Sequence, residues 1–167
     1  MPTGAGQIVT EDDFTAIADA GDEKPIGRLV ASGTQALADA TPVAITFSTE
    51  EIDTHSFHST SVNTSRVTPT VPGYYRITGT VFFEQMTTAV SISAHIRKNG
   101  STALAAAGRM ATSASFAQSS FTTCIVSLDG NLDYVELLGT QDSAGADNTN
   151  QSVQFSSVLE WEYLRGL

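Results

Sequence analysis

The chain has 167 residues and a formal net charge of −10, and 41 % of its residues are hydrophobic. A hydrophobic share of that size supports a globular core and argues against a chain that is disordered throughout. The negative charge repels phosphate backbones and anionic lipid, so we expect no nucleic-acid partner and no membrane partner. Cys124 is the single cysteine, which excludes an intrachain disulfide and favours folding in a reducing cytoplasm.

Residues 1–25 differ in pattern from the rest of the chain. The segment Thr10–Asp13, with three acids before Phe14 and Ile17, is typical of a capped helix start. A helix of roughly ten residues is marginal alone in water, so it should order only against the domain, a neighbouring subunit or a larger assembly. We therefore predict an N-terminal arm with one short helix, in which Phe14 and Ile17 make the anchoring contacts.

From Ile26 onward the hydrophobic pattern has a period of two, which predicts β-strands. Between the strands lie turn signals, of which Asn99-Gly100 is the sharpest because both residues tolerate positive φ. Many short strands with few helical stretches indicate a sandwich or jelly roll, and residues 26–167 are predicted to form one domain. The predicted strands are Gly27–Ser32, Pro42–Ser48, Arg66–Val71, Tyr74–Glu84, Val90–Lys98, Phe121–Leu128, Leu132–Gly139 and Ser152–Leu164.

An ordered set of segments resembles the landmarks of C1q/TNF-like domains over nearly all of residues 26–167. The resemblance implies an antiparallel jelly-roll sandwich that forms a homotrimer, with one sheet of each protomer around a threefold axis. The segments are Gly27–Ser32, Pro42–Phe47 followed by Phe57, Arg66–Ile77, the Arg97-Lys98-Asn99-Gly100 hairpin, Leu128–Leu137 and Phe155–Leu159.

The last predicted strand is the main candidate for the subunit contact. Phe155, Leu159, Trp161 and Tyr163 share one row, while Val158 lies in the opposite row. A strand that is apolar on both faces is often buried on both sides, by its own core and by a neighbour. We therefore expect the segment Phe155–Tyr163 at or near the trimer interface.

Two further residues are predicted at or near the same contact. Tyr134 leads an apolar strand late in the chain. His95 alternates with Ile96, so it faces away from the core and suits a polar subunit contact better than catalysis.

The chain also departs from the animal members of that family. It has no collagen stalk, and its first residues lack the charged and apolar regions of a secretory signal peptide. In this it is similar to the C1q-like modules of tailed-bacteriophage virion proteins, which are made in the host cytoplasm and released by lysis. The resemblance implies a capsid decoration or cementing knob, on the surface of the virion, that binds the major capsid protein of a phage head through its arm. The alternative is a receptor- or glycan-binding knob of a phage tail component.

The sequence lacks the motifs expected of an enzyme. It has no phosphate-binding glycine loop, no nucleophile elbow and no paired-cysteine metal motif. His55 and His58 form the one close histidine pair, but a spacing of three in extended backbone places their rings on opposite sides. Nothing basic stands near Cys124 in the sequence, so a core thiol is favoured over a nucleophile. We therefore predict a non-enzymatic protein without cofactor or metal, with an unidentified hydrolase as the remaining alternative.

Overall fold

The computed structural model describes residues 24–84, 90–111, 117–150 and 155–167. The described residues are all β, with no helix among them and hence none that could cross a membrane. The predicted arm lies almost wholly outside the described residues, and so do its helix, Phe14 and Ile17. The strands are β1 Ile26–Val30, β2 Ala36–Leu37, β3 Val43–Ala44, β4 Thr49–Asp53, β5 Arg66–Val67, β6 Gly73–Phe83, β7 Val90–Lys98, β8 Thr102–Ala111, β9 Gln118–Leu128, β10 Val135–Gln141, β11 Asp147–Asn148 and β12 Val158–Arg165.

Two antiparallel sheets form a jelly-roll sandwich. Sheet 1 has the order β4-β1-β12-β6-β9, and sheet 2 has the order β3-β10-β7-β8, with β5 also paired to β10. Strands β2 and β11 form a small third ladder. Consecutive strands lie largely in opposite sheets, as in β6 to β7 and β9 to β10, so the chain wraps around one core.

The core lies between the inner faces of the two sheets and follows from the period of two. Tyr75, Ile77, Val81 and Phe83 alternate along β6 and are fully buried. Ile92, Ala94 and Ile96 do the same from β7 in sheet 2. Burying side chains of this size contributes roughly 1.5–3 kcal/mol each, so this shared core accounts for most of the stabilisation of the sandwich.

Two glycines are required by the geometry at their positions. A Cβ on Gly27 would lie 1.8 Å from the Trp161 ring, so only glycine lets β12 place this ring against β1. Gly100 has φ +72° and follows Asn99 at φ 55°, as predicted for the turn between β7 and β8.

Most of the predicted strands are present, and the differences have local causes. Strand β7 has the predicted bounds, whereas the predicted Pro42–Ser48 and Arg66–Val71 are ladders of only two residues, β3 and β5. Strand β8 was not predicted because its alanines and Gly108 give no alternation of apolar and polar residues. Strand β4 was missed because its Thr and Glu side chains are exposed at the edge of sheet 1.

Both termini of the described domain lie at the same end of the sandwich. In the ladder between β1 and β12, Ile26 pairs with Glu162 and Val30 pairs with Val158. Pro25 is buried, and its carbonyl accepts a hydrogen bond from the backbone N–H of Tyr163 at 2.9 Å. The point where residues 1–23 join the domain is therefore fixed to the end of sheet 1.

Candidate subunit interface

The outer face of sheet 1 is assembled from every second residue of β1, β12, β6 and β9. Registered pairs define rows that cross all four strands. One row contains Val30, Val158, Thr80 and Phe121; the next contains Arg28, Glu160, Thr78 and Thr123; a third contains Ile26, Glu162, Arg76 and Ile125. The residues between them in each strand point into the core.

This outer face exposes an unusual number of large apolar side chains. Phe121 on β9 is 56 % exposed and Ile125 is 61 % exposed. Phe155 is 42 % exposed and packs against Phe82, with 5.8 Å between the ring centroids. Ile26 and Ile52 are also exposed on β1 and β4. Charged and hydroxyl side chains lie between these residues, but their concentration on one face favours a surface that another protein covers.

Charged residues on the same face are paired with one another. Arg28 donates to Glu51 at 2.6 Å and also to Glu160, while Arg76 donates to Glu162 at 2.6 Å. Burial lowers the pKa of Arg28, but its hydrogen bonds to Glu51 and Glu160 outweigh that effect and the pKa is raised overall. Because these pairs remain half-exposed, each contributes little to the stability of a single protomer.

A groove of about 370 Å³ runs across this face above β12. Its apolar side is formed by Val30, Phe82 and Val158, and its polar side by Arg28, Glu51 and Glu160. The two carboxylates and one guanidinium leave an excess of one negative charge along the groove.

The outer face of sheet 2 has a different chemistry. Its strands present Ser91, Ser93 and His95 from β7 beside Ala106 and Gly108 from β8. Among the described residues of this face, Met110 alone is a large apolar side chain that is exposed. Small and polar side chains of this kind suit contact with solvent rather than with a partner.

The structure divides the predicted interface residues of β12 into two groups. Leu159 is fully buried and Trp161 is 2 % exposed, both within the core of the protomer, so neither offers a surface to a second copy. Tyr163 packs edge-on against Tyr75 at 5.3 Å and is partly buried against the same core. Phe155 remains on the outer face of sheet 1.

Tyr134 and His95 lie away from that face. Tyr134 precedes β10 of sheet 2 and packs under the guanidinium of Arg66, 4.1 Å from its ring centroid. His95 is on the outer face of sheet 2, where Nε2 lies 2.8 Å from Ser93 Oγ and 3.2 Å from Thr140 Oγ1. Burial, and to a smaller extent Arg97, lowers the pKa of His95. A trimer that uses sheet 1 would leave both residues outside the contact.

Sequence reasoning did not select Phe121 or Ile125 as interface residues. Both belong to the predicted strand Phe121–Leu128. The period of two in that strand places them on the same face as Thr123. The opposite row of β9 contains the buried Thr122 and Val126 with the half-buried Cys124. Because that row is as polar as the exposed one, the sequence pattern alone does not distinguish inside from outside in this strand.

The residues considered for metal binding or catalysis are engaged in structural contacts. The His58 ring is buried, with Nδ1 2.9 Å from the Arg66 carbonyl oxygen and Nε2 3.2 Å from that of Phe47. His55 Nδ1 instead lies 2.8 Å from Thr54 Oγ1. Burial raises the pKa of the Cys124 thiol, which disfavours the reactive thiolate. In the described part of the chain no three His, Cys, Asp or Glu side chains are grouped to hold a metal.

The fold is shared with proteins of known structure. No family model matches the chain, and no curated protein sequence matches it. Murine APRIL at pH 5.0 superposes with a TM-score of 0.60 at 13 % identity, over 85 % of this chain and 100 % of that chain. Murine APRIL at pH 8.0 gives 0.60 at 16 % identity, over the same shares.

A second similar protein is Eiger TNF from S. frugiperda. Its TM-score is 0.58 at 11 % identity, over 86 % of this chain and 94 % of that chain. Identities at this level establish the fold and nothing finer. The described part of the chain is therefore an antiparallel jelly roll of the TNF-like type.

Proposed function

We propose that the protein is a non-enzymatic, trimer-forming knob whose subunits meet through the outer face of sheet 1. The observation that best supports this proposal is the contrast between the two outer faces of the sandwich. Sheet 1 exposes Phe121, Ile125 and Phe155, whereas sheet 2 presents mostly small and polar residues. The TNF-like fold is compatible with this arrangement, and burying exposed aromatic and aliphatic side chains is the usual driving force for association.

We further propose that the knob lies on the capsid of a tailed phage, as a decoration or cementing subunit. The acidic segment 1–25 would bind the major capsid protein. The point at which the arm joins the domain supports this role, because the hydrogen bond between Pro25 and β12 fixes that point at one end of sheet 1. In a trimer built around sheet 1, three arms would leave from the same end, and their simultaneous binding would raise the overall affinity.

The oligomeric state is the first part to test. Light scattering coupled to size exclusion of the full chain should give three times the chain mass of 17.6 kDa. A monomeric mass at all accessible protein concentrations would contradict the proposal.

Capsid binding is tested separately, by co-sedimentation with bare phage capsids and with host cells. We expect saturable binding to capsids that is lost when residues 1–25 are deleted, while the shortened chain remains a trimer. Binding to host cells alone would overturn the capsid assignment and favour a receptor- or glycan-binding knob of a tail component.

A further inference from the structure

We propose that a cleft on the side of the sandwich binds a single sugar unit that carries a carboxylate. This loop cleft lies where the chain crosses from β4, at the edge of sheet 1, to β5 in sheet 2, and its volume is about 360 Å³. Sites for small molecules usually measure roughly 300–1,000 Å³. None of the residues that line the cleft belongs to the outer rows of sheet 1, so the site is separate from the proposed subunit contact.

The floor of the loop cleft is a row of three outward side chains. Arg66, Thr68 and Thr70 line the cleft, and they alternate with the buried Val67 and Pro69. Alternating burial of this kind indicates extended backbone, in which successive side chains point to opposite sides. The floor therefore presents one guanidinium and two hydroxyl groups to a ligand.

The opposite wall is a loop whose backbone is fixed by hydrogen bonds. The Asp53 carboxylate accepts the backbone N–H of Phe57 at 3.1 Å and that of His58 at 2.9 Å. The Phe57 carbonyl in turn accepts the N–H of Thr68 at 2.8 Å, which joins the wall to the floor. Because the cleft is formed before a ligand arrives, binding requires little ordering of the protein.

Several polar side chains in the loop cleft are available to a ligand. The hydroxyls of Ser56, Thr68 and Thr70 and the side-chain amide of Asn63 make no hydrogen bond within the described part of the chain. Hydroxyl and amide groups both donate and accept, so each can pair with a sugar hydroxyl. Val62, which is 64 % exposed, adds an apolar contact for the C–H face of a sugar ring.

Arg66 supplies the charged contact. Its guanidinium carbon lies 4.1 Å from the centroid of the Tyr134 ring, and its Nε lies 3.5 Å from Glu136 Oε1. These contacts orient the guanidinium plane, while its Nη nitrogens make no hydrogen bond among the described residues. A guanidinium that is held in one plane with free N–H groups is suited to bidentate contact with a carboxylate.

The lining of the loop cleft favours an acidic sugar over a neutral one. The chain has 18 Asp and Glu residues, but none is among the described residues that line this cleft. The groove above β12, by contrast, contains Glu51 and Glu160. Neutral sugars usually need an aromatic ring on which to stack, and Phe57 is only 3 % exposed. A carboxylate bound to Arg66 therefore replaces ring stacking as the anchoring contact.

The charge of the whole chain narrows the ligand further. A net charge of −10 repels a polymer that is charged on every unit, so a polyanion is disfavoured. A single carboxylate in the cleft meets Arg66 at contact distance, whereas charges beyond about 8 Å are largely screened at physiological ionic strength. The matching ligand class is a sugar with one carboxylate and several hydroxyls.

A nuclear magnetic resonance titration of the full chain tests the site, with methyl glucuronide as the probe. We expect saturable shifts of the backbone amide signals of residues 56–70. Methyl glucoside has a hydroxymethyl group in place of the carboxylate and should bind at least tenfold more weakly. Inorganic phosphate should also bind more weakly than the glucuronide, because it leaves most of the cleft's hydroxyl and amide groups without a partner.

Substitutions separate the roles of the lining residues. Arg66→Gln should reduce the affinity for the glucuronide at least tenfold and remove the preference over the glucoside. Asn63→Gly deletes the amide while permitting the φ of 52°, and Thr68→Val deletes one hydroxyl at nearly the same shape; each should weaken both sugars by a similar factor. The matched control is Arg97→Gln, on the other side of Glu136 in the ladder between β10 and β7, which should leave binding unchanged.

The possible outcomes are distinct. Absence of saturable shifts with methyl glucuronide would overturn the site. Equal affinity for the glucuronide and the glucoside, or equal losses in Arg66→Gln and Arg97→Gln, would overturn the role of the guanidinium and the assignment to an acidic sugar. Phosphate binding as tight as that of the glucuronide would show a site for an anion alone. These measurements depend neither on the mass of the assembly nor on capsids, so a failure here is distinguishable from a failure of the proposed function.

Discussion

The two outer faces of this sandwich arise from the same alternation but have different chemistry. On sheet 1, the outward row of β9 has Phe121 and Ile125 at more than half exposure, beside ion pairs from Arg28 and Arg76. On sheet 2, the outward row of β7 has Ser91, Ser93 and His95. Since both inner faces contribute to one core, the difference concerns what each sheet meets on its outer side. This difference is the basis of the proposed assignment of sheet 1 to the subunit contact and of sheet 2 to solvent.

The largest expected effect distinguishes the two rows of β12. Trp161→Ala should destabilise the fold by about 3–5 kcal/mol, because it removes a buried ring that packs on Gly27 and Phe57. Glu162→Ala, one residue along and on the outer face, should cost less than about 1 kcal/mol. Urea unfolding at one fixed protein concentration measures both. Equal decreases in the free energy of unfolding for the two variants would contradict the assignment of Trp161 to the core and Glu162 to the surface.

A pair of matched substitutions compares the two outer faces themselves. Ile125→Arg on β9 should weaken the trimer by roughly tenfold or more in dissociation constant, because it places a charge in a contact that excludes water. Ala106→Arg, at an exposed position of β8 in sheet 2, should leave the mass unchanged. Light scattering across a dilution series checks both, and dissociation of the Ala106 variant instead would reverse the assignment of the faces.

A smaller effect is expected at the turn that joins the two sheets, between β9 and β10. Hydrogen bonds from the backbone of Asp133, Asn131 and Leu132 lower the pKa of Asp129 below its ordinary value of 3.8. The charged carboxylate therefore stabilises the fold above pH 3.8, and this contribution is lost as the pH falls through the lowered pKa. Asp129→Asn should be less stable than the parent near pH 7.

The pH profile provides the control for that substitution. As the pH falls through the lowered pKa of Asp129, the parent carboxyl becomes neutral and the difference from Asp129→Asn should close. Thermal unfolding of both chains between pH 7 and pH 2 measures the gap. A gap that stays constant over this range would mean that the charge of Asp129 has no part in holding the turn.

The smallest predicted effect tests whether the outer face of sheet 2 remains exposed to solvent in the assembled protein. Burial lowers the pKa of His95 below 6.5, so protonation costs stability as the pH falls below that value and through the lowered pKa. His95→Gln removes the cost of protonating a partly buried ring, so the variant should gain stability relative to the parent as the pH falls below 6.5. Above pH 6.5 the difference in stability between the two chains should stay constant. Because this face is solvent-facing in the proposed trimer, the profile should not depend on protein concentration. A concentration-dependent profile would place His95 in a contact.

Strands β7 and β8 show which structural features could be predicted from the sequence and which could not. The pattern of β7 predicted its bounds, and Asn99-Gly100 predicted the turn that follows it, because alternation and positive φ are local properties. Strand β8 was missed since its alanines carry no contrast between faces. It forms because β7 offers a ladder along its whole length, from Val90 to Lys98, and that pairing is not encoded in β8 alone.

The all-β class, most strands and the alternation within each strand could be predicted from the sequence, because these follow from the side-chain pattern along one chain. In β9 and β12, by contrast, the packing of the two sheets set which parity faces the core. In β12 both rows contain apolar residues, and the ladder with β6 and β1 turned Leu159 and Trp161 inward and Val158 outward. The packing also placed Phe121 and the groove above β12 on one face, although Phe121 and Val158 are 37 positions apart in the sequence. Contacts between distant segments depend on how the strands are ordered across the sheet, and a period of two contains no information about that order.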